Sequence, residues 1–209
     1  MRDRWDTGRT EAFSDGVFAI AITLLVLDLA VPEADFHDLW RGIVHQWPSY
    51  LAYATSFLTI GGLWLAHHGL FSRLEYVNRT VMRINLFLLM AVSFLPYPTR
   101  LVAQAIRNED AERAAVVFYG STLLAIAILI GALWAAAARD RTLLKADVGE
   151  EEVQAILIRT SPNLGLYVVA IALAFLFPKV AAFAYLAIAL VSVTTARGDR
   201  PSKAAGEAA

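Results

Sequence analysis

Five long stretches of this sequence contain no aspartate, glutamate, lysine or arginine, namely residues 42–72, 84–99, 114–138, 160–178 and 180–196. A helix of about 20 mostly apolar residues can cross the hydrocarbon core of a bilayer. The chain of 209 residues is 58% hydrophobic and 18% charged, whereas soluble chains are about 45–50% apolar, with glycine counted, and about 25% charged. The sequence therefore predicts a polytopic membrane protein and excludes a disordered chain, a solvated repeat array and a typical soluble enzyme.

A sixth apolar run precedes these stretches, and it is unusual because two carboxylates lie in it. Asp15 and Asp28 bracket the central part of this run, at about residues 12–31. The helical rise between them is roughly 20 Å, against a hydrocarbon thickness of about 30 Å. At least one carboxylate must therefore lie below the headgroups, at a cost of at least about 2.5 kcal/mol if it faces lipid. We expect one side of this helix to face protein or water. Local thinning of the bilayer, with both acids at its interfaces, is the alternative.

The six runs predict one all-α membrane domain at residues 1–196, followed by a mobile cytoplasmic tail at residues 197–209 that is small, polar and charged. The predicted transmembrane helices lie at about residues 12–31, 49–71, 84–105, 113–138, 153–177 and 180–196. A tight turn at Pro178 and Lys179 is expected between the last two. After the first helix, apolar residues at helical spacing predict a short amphipathic helix in the outer interface: Leu39, Trp40, Ile43, Val44 and Trp47.

Basic residues are distributed unequally between the two sides of the predicted domain. Thirteen of the 18 lysines and arginines fall on the side of both termini, and the other five are Arg41, Arg100, Arg107, Arg113 and Lys179. The positive-inside rule therefore predicts a multi-pass cell-membrane protein with both termini in the cytoplasm. The formal net charge of −1 gives no long-range attraction to nucleic acid, and the absence of cysteine excludes disulfides and thiolate chemistry.

One face of the first helix carries a candidate site. At about 100° per residue, with Asp15 set at 0°, Thr23 falls near 80°, Leu27 near 120°, Ile20 near 140° and Leu24 near 180°. These four residues form one stripe whose centre lies roughly 120° from Asp15, so the carboxylate and the stripe face different partners. By spacing alone, such a stripe is more often a packing seam between helices than the wall of an ion pathway.

A motif at the start of the first helix resembles that of a known family. Four residues fit the pattern R-x-x-x-F-S-D: Arg9, Phe13, Ser14 and Asp15. The second helix contains the run LWLAHH, and the third contains an early asparagine and ends in FLPYP; the residues concerned are Trp64, His67 and Asn85. This combination resembles the transmembrane protein 175 potassium channel family, whose bacterial members have six helices. The resemblance covers nearly the whole chain apart from the tail.

The resemblance implies a homotetramer in which the first helix of each copy lines a central pore. By position, it implies that Ile20 is the main hydrophobic constriction and gate, with Leu24 and Leu27 as further rings toward the extracellular side. It also implies that Thr23 forms a polar ring linked with a preference for potassium over sodium. The family has no carbonyl-lined filter, and this sequence likewise contains no T-V-G-Y-G run.

The resemblance further implies a hydrogen-bonded network that ties the first helix to the second and third, with the members Arg9, Ser14, Asp15, His67 and Asn85. Asp15 suits this role, because a carboxylate can accept from an imidazole, an amide and a guanidinium, which offsets its burial. A pH-sensing role for His67 is a second interpretation, since histidine changes charge near neutral pH. His68 points elsewhere on its helix and has no assigned role.

The sequence thus predicts a potassium channel, modestly selective over sodium, whose partners are further copies of itself, potassium ions and the lipid bilayer. The alternative is a six-helix secondary transporter or a proton or cation carrier, although the second half of the chain lacks an FSD-like start that would suggest inverted repeats. A hydrolase built on Ser14, Asp15 and His67 is disfavoured, because adjacent residues cannot easily take opposite sides of one imidazole. We expect no enzyme activity, no cofactor, and no metal beyond permeating potassium.

Overall fold

The structure is a computed structural model that describes residues 4–30, 33–106 and 108–195, which are mostly helical. Helix α1 spans Thr7–Leu24 and continues as a 3-10 turn, Leu25–Asp28. A 3-10 segment at Glu33–Asp38 leads into α2, Leu39–His45, and α3, Trp47–Phe71. The remaining helices are α4, Arg79–Phe94; α5, Pro96–Ala105; α6, Glu109–Arg139; α7, Glu150–Leu176; and α8, Pro178–Thr195.

Six long helical segments occur in the described chain: α1 with its 3-10 turn, α3, α4 joined to α5, α6, α7 and α8. By length and composition, three segments in the described residues are able to cross a membrane: Thr7–Asp28, Arg79–Ala105 and Ala111–Arg139. Two shorter apolar helices lie at Leu164–Leu176 and Pro178–Thr194. The prediction of an all-α membrane protein is confirmed, with the addition of one short strand pair. The predicted tail at residues 197–209 lies outside the described residues.

Side-chain caps set where two of the helices begin. The Asp6 carboxylate accepts a hydrogen bond of 3.2 Å from the Gly8 N–H at the start of α1. The Asn78 side chain accepts one of 3.0 Å from the Val81 N–H at the start of α4. Such caps satisfy N–H groups that have no partner within the helix. Helix α1 therefore begins before the apolar run predicted at residue 12, because a capped polar first turn carries no hydropathy signal.

Prolines mark two further helix boundaries. Pro96 follows Leu95 and separates α4 from α5, since proline lacks an N–H and its ring clashes with the preceding turn. Pro178 is the first residue of α8 and lies one residue after Phe177, the C-cap of α7. A proline fits the first helical position because its N–H is not needed there. The connection between the last two helices is therefore Phe177, whereas the sequence predicted a turn at Pro178 and Lys179.

Helix α6 lies at the centre of the bundle and packs against α4, α5, α7 and α8. Its inward side chains Leu123, Ile126 and Leu133 are almost completely buried. Helix α3 packs against α1, α5 and α8, and α1 packs mainly against α3 and α4. Since the neighbours of α1 lie on one side of it, its other side is exposed in the single chain.

Gly120 creates the notch in α6 that receives the ring of Tyr185 from α8. A methyl group at Gly120 would overlap the Tyr185 hydroxyl and lie 2.9 Å from Cγ1 of Ile171. Tyr185 is 1% exposed, and its hydroxyl has no hydrogen-bond partner among the described residues. The tyrosine ring therefore depends on the missing side chain at Gly120 for its space.

We expect Gly120→Ala to lower the stability of the detergent-solubilised protein by about 1–3 kcal/mol, as overpacking does in other cores. Adding Tyr185→Phe should restore part of this loss, because it removes the hydroxyl oxygen, which is the nearest of the atoms that the new methyl overlaps. The measurement is the midpoint of thermal unfolding. Gly165→Ala is the matched control, since no atom lies within 4 Å of a methyl group there. Equal midpoints for Gly120→Ala and Gly165→Ala would contradict the tight contact between α6 and α8.

Candidate functional site

Helix α1 has one buried side and one exposed side. The side that packs on α3 and α4 contributes four buried residues at helical spacing: Ser14, Phe18, Ala21 and Leu25. The stripe predicted from the sequence lies on the other side, where Ile20 is 60%, Leu24 41% and Leu27 72% exposed. These apolar side chains are therefore left for a partner outside the single chain.

Thr23 lies on the same exposed side of α1 as Ile20. Its hydroxyl donates a hydrogen bond of 2.9 Å to the Ile20 carbonyl oxygen within the helix. The proton is thereby used locally, and the oxygen keeps lone pairs that can accept from water or contact a cation. The stripe therefore combines three branched aliphatic side chains with one hydroxyl oxygen.

A buried relay of hydrogen bonds fastens α1 to α3 and α4. His67 Nε2 donates to Asn85 Oδ1 at 2.9 Å, and Asn85 Nδ2 donates to the Ser14 hydroxyl at 3.0 Å. The Ser14 hydroxyl in turn donates to the Thr10 carbonyl oxygen at 2.8 Å. Ser14, His67 and Asn85 are each at most 1% exposed. Each donor has an acceptor in this order, so the relay fixes the orientation of the Asn85 amide.

Two aromatic rings hold the imidazole of His67 in place. The Phe71 ring stacks on it with a centroid separation of 4.3 Å, and the Phe18 ring lies tilted at 5.4 Å. His67 Nδ1 is buried without a hydrogen-bond partner among the described residues. A neutral imidazole that donates from Nε2 leaves Nδ1 as an unprotonated acceptor. The geometry thus suits a neutral histidine with its proton on Nε2.

Asp15 lies outside this relay and meets a different partner. Its Oδ1 accepts a hydrogen bond of 2.8 Å from Trp64 Nε1. The sequence had proposed imidazole, amide and guanidinium donors for Asp15, and the indole of Trp64 is the donor found here. Arg9 and Phe13 are exposed, and within the described residues Arg9 has no hydrogen-bond or ion-pair partner. The structure therefore brings Ser14, His67 and Asn85 together, joins Asp15 to Trp64, and leaves Arg9 and Phe13 apart.

The pair formed by His68 and Glu11 was missed by the sequence analysis. His68 Nδ1 lies 2.9 Å from Glu11 Oε1, and the His68 ring stacks on Trp64 at 5.7 Å. Glu11 and Asp15 are four residues apart on α1, as Trp64 and His68 are on α3. Residues four apart share one helix face. The sequence therefore contained one signal for this contact, namely two carboxylates four apart on α1 and two N–H-bearing rings four apart on α3.

The arrangement does not assemble a catalytic triad. The Ser14 hydroxyl accepts from Asn85 rather than bonding to His67, and the Asp15 carboxylate bonds to Trp64. A triad needs the imidazole between the hydroxyl and the carboxylate. What these contacts can do is hold α1 at a fixed orientation, with its apolar stripe turned away from α3 and α4.

Known proteins are similar to this chain both in the region of the site and over nearly its whole length. A family profile described as "Endosomal/lysosomal potassium channel TMEM175" matches residues 9–96. The chain is 40% identical over 204 residues to a potassium channel of Streptomyces collinus, covering 94% of this chain and 99% of the relative. It is 44% identical over 174 residues to a potassium channel of Chamaesiphon minutus, covering 82% and 85%. The crystal structure of a lysosomal potassium-selective channel TMEM175 homolog from Chamaesiphon minutus superposes with a TM-score of 0.83 at 40% identity, covering 91% of this chain and 98% of that one.

We expect Asn85→Leu to destabilise the protein by about 1–3 kcal/mol, because it removes two hydrogen bonds and leaves the buried His67 Nε2 proton without an acceptor. Adding Ser14→Ala should then cost less than it does in the wild type, since both residues belong to one relay. The thermal unfolding midpoint measures both effects. Ser93→Leu is the control on the same helix, because Ser93 is exposed and bonds only the Met90 carbonyl of its own helix. Additive losses would contradict the relay.

Proposed function

The chain belongs to the TMEM175 family, and from this premise we propose that it is a potassium-selective ion channel with a pore lined by α1. The observation that carries the proposal is the exposed stripe of Ile20, Thr23, Leu24 and Leu27, on a helix whose opposite side is fastened to the bundle. A channel requires a wall that faces ions, and this stripe is the face of α1 turned away from its own subunit.

We place the pore on a symmetry axis between subunits, because one helix cannot enclose it. Several copies must meet with their α1 stripes inward, and closed rotational symmetry is the usual arrangement of such assemblies. We propose a homotetramer, as in the family resemblance. The lipid bilayer covers the outer faces of the subunits, and the unequal distribution of lysine and arginine supports a cell-membrane location with both termini in the cytoplasm.

The gate in this proposal is a ring of Ile20 side chains. Branched aliphatic side chains that meet on the axis exclude water, so a hydrated ion cannot enter and the pore closes by dewetting. Leu24 and Leu27 add further rings toward the extracellular side. Opening then requires the outer part of α1 to tilt or rotate until the ring is wide enough to stay wet.

Selectivity comes from a narrow, partly dehydrating passage assisted by the Thr23 hydroxyl. Its oxygen lies next to Ile20 on the stripe and can replace a water of hydration. Backbone carbonyls are not required, and the one Tyr-Gly pair of the sequence, Tyr119 and Gly120, lies inside α6 where it contacts Tyr185. A filter of this kind gives modest preference for potassium over sodium. Potassium is the permeant species, and no cofactor takes part.

The direct test is the reversal potential of purified protein in planar bilayers under asymmetric potassium and sodium. We expect single-channel currents that reverse toward the potassium equilibrium potential. Unitary currents separate a channel from a carrier, because alternating access is too slow to produce them. Potassium transport without unitary currents, or the absence of any potassium flux, would contradict the proposed function.

We expect Ile20→Asn to raise potassium flux in proteoliposomes several-fold and to weaken selectivity, because a polar ring at the constriction stays wet. Ile128→Asn is the matched control: Ile128 is 52% exposed on α6, a helix whose main packing partners do not include α1. Flux should therefore differ between the two variants at equal protein content. Wild-type flux in Ile20→Asn would remove Ile20 from the pore wall.

Asp15→Ala should reduce the yield of folded, assembled protein more than it changes selectivity, because it leaves the Trp64 indole proton without its acceptor. Asp15→Asn keeps an acceptor oxygen at the same position and should recover part of the yield. Size-exclusion chromatography gives the assembled fraction, and reversal potentials give the selectivity of what assembles. Normal yield with altered selectivity would instead assign Asp15 to the ion pathway.

A further inference from the structure

Helix α1 is attached to its subunit very differently at its two ends. We propose that the N-terminal end of α1 is a fixed anchor and that opening moves the C-terminal segment, residues 20–28, relative to the subunit. Two observations support this proposal. A strand pair leads directly into the N-terminal end of α1, and the C-terminal segment is held mainly by apolar contacts. The inference rests on the proposed function, in which this segment carries the gate.

The first part of the anchor is a two-stranded ladder. Strand β1, Trp5–Asp6, pairs antiparallel with β2, Tyr76–Val77, with Trp5 opposite Val77 and Asp6 opposite Tyr76. Asp6 also caps α1, which begins at the next residue. Strand β2 leads after one residue into α4. The ladder therefore joins the starting points of α1 and α4 by main-chain hydrogen bonds.

The second part of the anchor ties this ladder to the rest of the bundle. The segment before β2 pairs with the connection between α6 and α7: the Glu75 N–H donates to the Leu143 carbonyl at 2.8 Å, and the Lys145 N–H donates to the Arg73 carbonyl at 3.0 Å. Leu74, Val77 and Leu143 beneath these bonds are at most 1% exposed. Next to β1, Arg4 donates to the Thr142 hydroxyl at 2.6 Å. The start of α1 is thus bonded to the connection between α3 and α4 and to the connection between α6 and α7, and both connections place buried apolar side chains beneath these bonds.

Side-chain hydrogen bonds from α1 to other helices continue up to Asp15 and then stop. Glu11 meets His68, Ser14 meets Asn85, and Asp15 meets Trp64. From residue 16 to 28, the polar contact with another helix in the described structure is an ion pair of 3.7 Å between Asp28 and Arg100. The Arg100 side chain is 61% exposed and the Asp28 side chain 23% exposed, and their separation of 3.7 Å is longer than a hydrogen bond.

The contacts of the C-terminal segment allow sliding, whereas those of the anchor do not. In this segment, Ala21 and Leu25 are buried in the hydrophobic core and pack by apolar contact alone, and such contact is non-directional, so a rotated or shifted arrangement can bury similar area. Hydrogen bonds, in contrast, weaken steeply once the angle at the donor falls below about 120°. The segment also changes from α-helix to a 3-10 turn at Leu25, and rewinding this turn would shift Leu27.

Paired cysteines can test both ends, because the natural sequence contains none. Asp6→Cys with Tyr76→Cys places two thiols opposite each other in the ladder, where paired Cα atoms lie about 4.5–5.5 Å apart and suit a disulfide. Asp28→Cys with Arg100→Cys places two thiols at the other end, to be joined by a short bis-methanethiosulfonate reagent. Potassium flux into proteoliposomes is measured for each variant before bridging, after bridging and after reduction. Single-cysteine variants treated identically are the controls.

We expect the bridged ladder to keep its flux within about twofold, and the bridged pair at residues 28 and 100 to lose flux by about tenfold, reversibly on reduction. Loss of flux on bridging the ladder would show that the N-terminal end moves and would overturn the proposal. Full flux after bridging residues 28 and 100 would overturn it equally. Failure of the ladder cysteines to join within one chain, judged by gel mobility, would refute the anchor itself. The absence of potassium flux in every unbridged protein, wild type included, would instead refute the channel.

Discussion

A polar group without a partner inside a bilayer costs several kcal/mol, and this cost decides how α1 sits on its subunit. Ser14, His67 and Asn85 are buried together and satisfy one another in a single direction, from the imidazole through the amide to the α1 backbone. Turning α1 about its axis would withdraw the Ser14 hydroxyl and leave the Asn85 N–H that bonds to it without an acceptor, although the bond between His67 and Asn85 joins α3 to α4 and would remain. The relay therefore selects one orientation of α1 among the many that apolar packing alone would accept.

That orientation has a consequence for the opposite side of the helix. With Ser14, Phe18, Ala21 and Leu25 turned inward, helical geometry leaves Ile20, Thr23, Leu24 and Leu27 facing away from the subunit. Ser14 and Asp15 thus hold α1 on its subunit, and the exposed residues Ile20, Thr23, Leu24 and Leu27 form the proposed ion pathway. The proposed passage is therefore lined mainly by apolar side chains, with one hydroxyl per subunit.

The rest of the fold supplies a rigid frame for this one helix. Helix α6 packs mainly on α4, α5, α7 and α8, and the notch at Gly120 lets α8 approach it closely. The strand pair and the loops beside it connect this frame to the first residue of α1. Directional bonds concentrated at one end and apolar contacts at the other give α1 a fixed end and an adjustable end, as the proposed gate requires if it closes by dewetting and opens by widening.

The sequence by itself determined that this is an α-helical membrane protein, that its first helix carries two carboxylates in an apolar run, and that Ile20, Thr23, Leu24 and Leu27 share one side of that helix. Hydropathy, charge and helical spacing are local properties of the chain, and these conclusions need nothing else. It did not determine that Asp15 bonds to Trp64 or that His68 bonds to Glu11, since these partners are 49 and 57 residues apart. Nor did it show the strand pair, whose two-residue strands are too short to leave a pattern. Only the packing of α1 against α3 and α4 decided which side chains meet and which face of α1 stays exposed. A hydrogen bond needs its donor and acceptor atoms within about 3 Å of each other, and the spacing of residues along the sequence does not fix the distance between atoms on different helices.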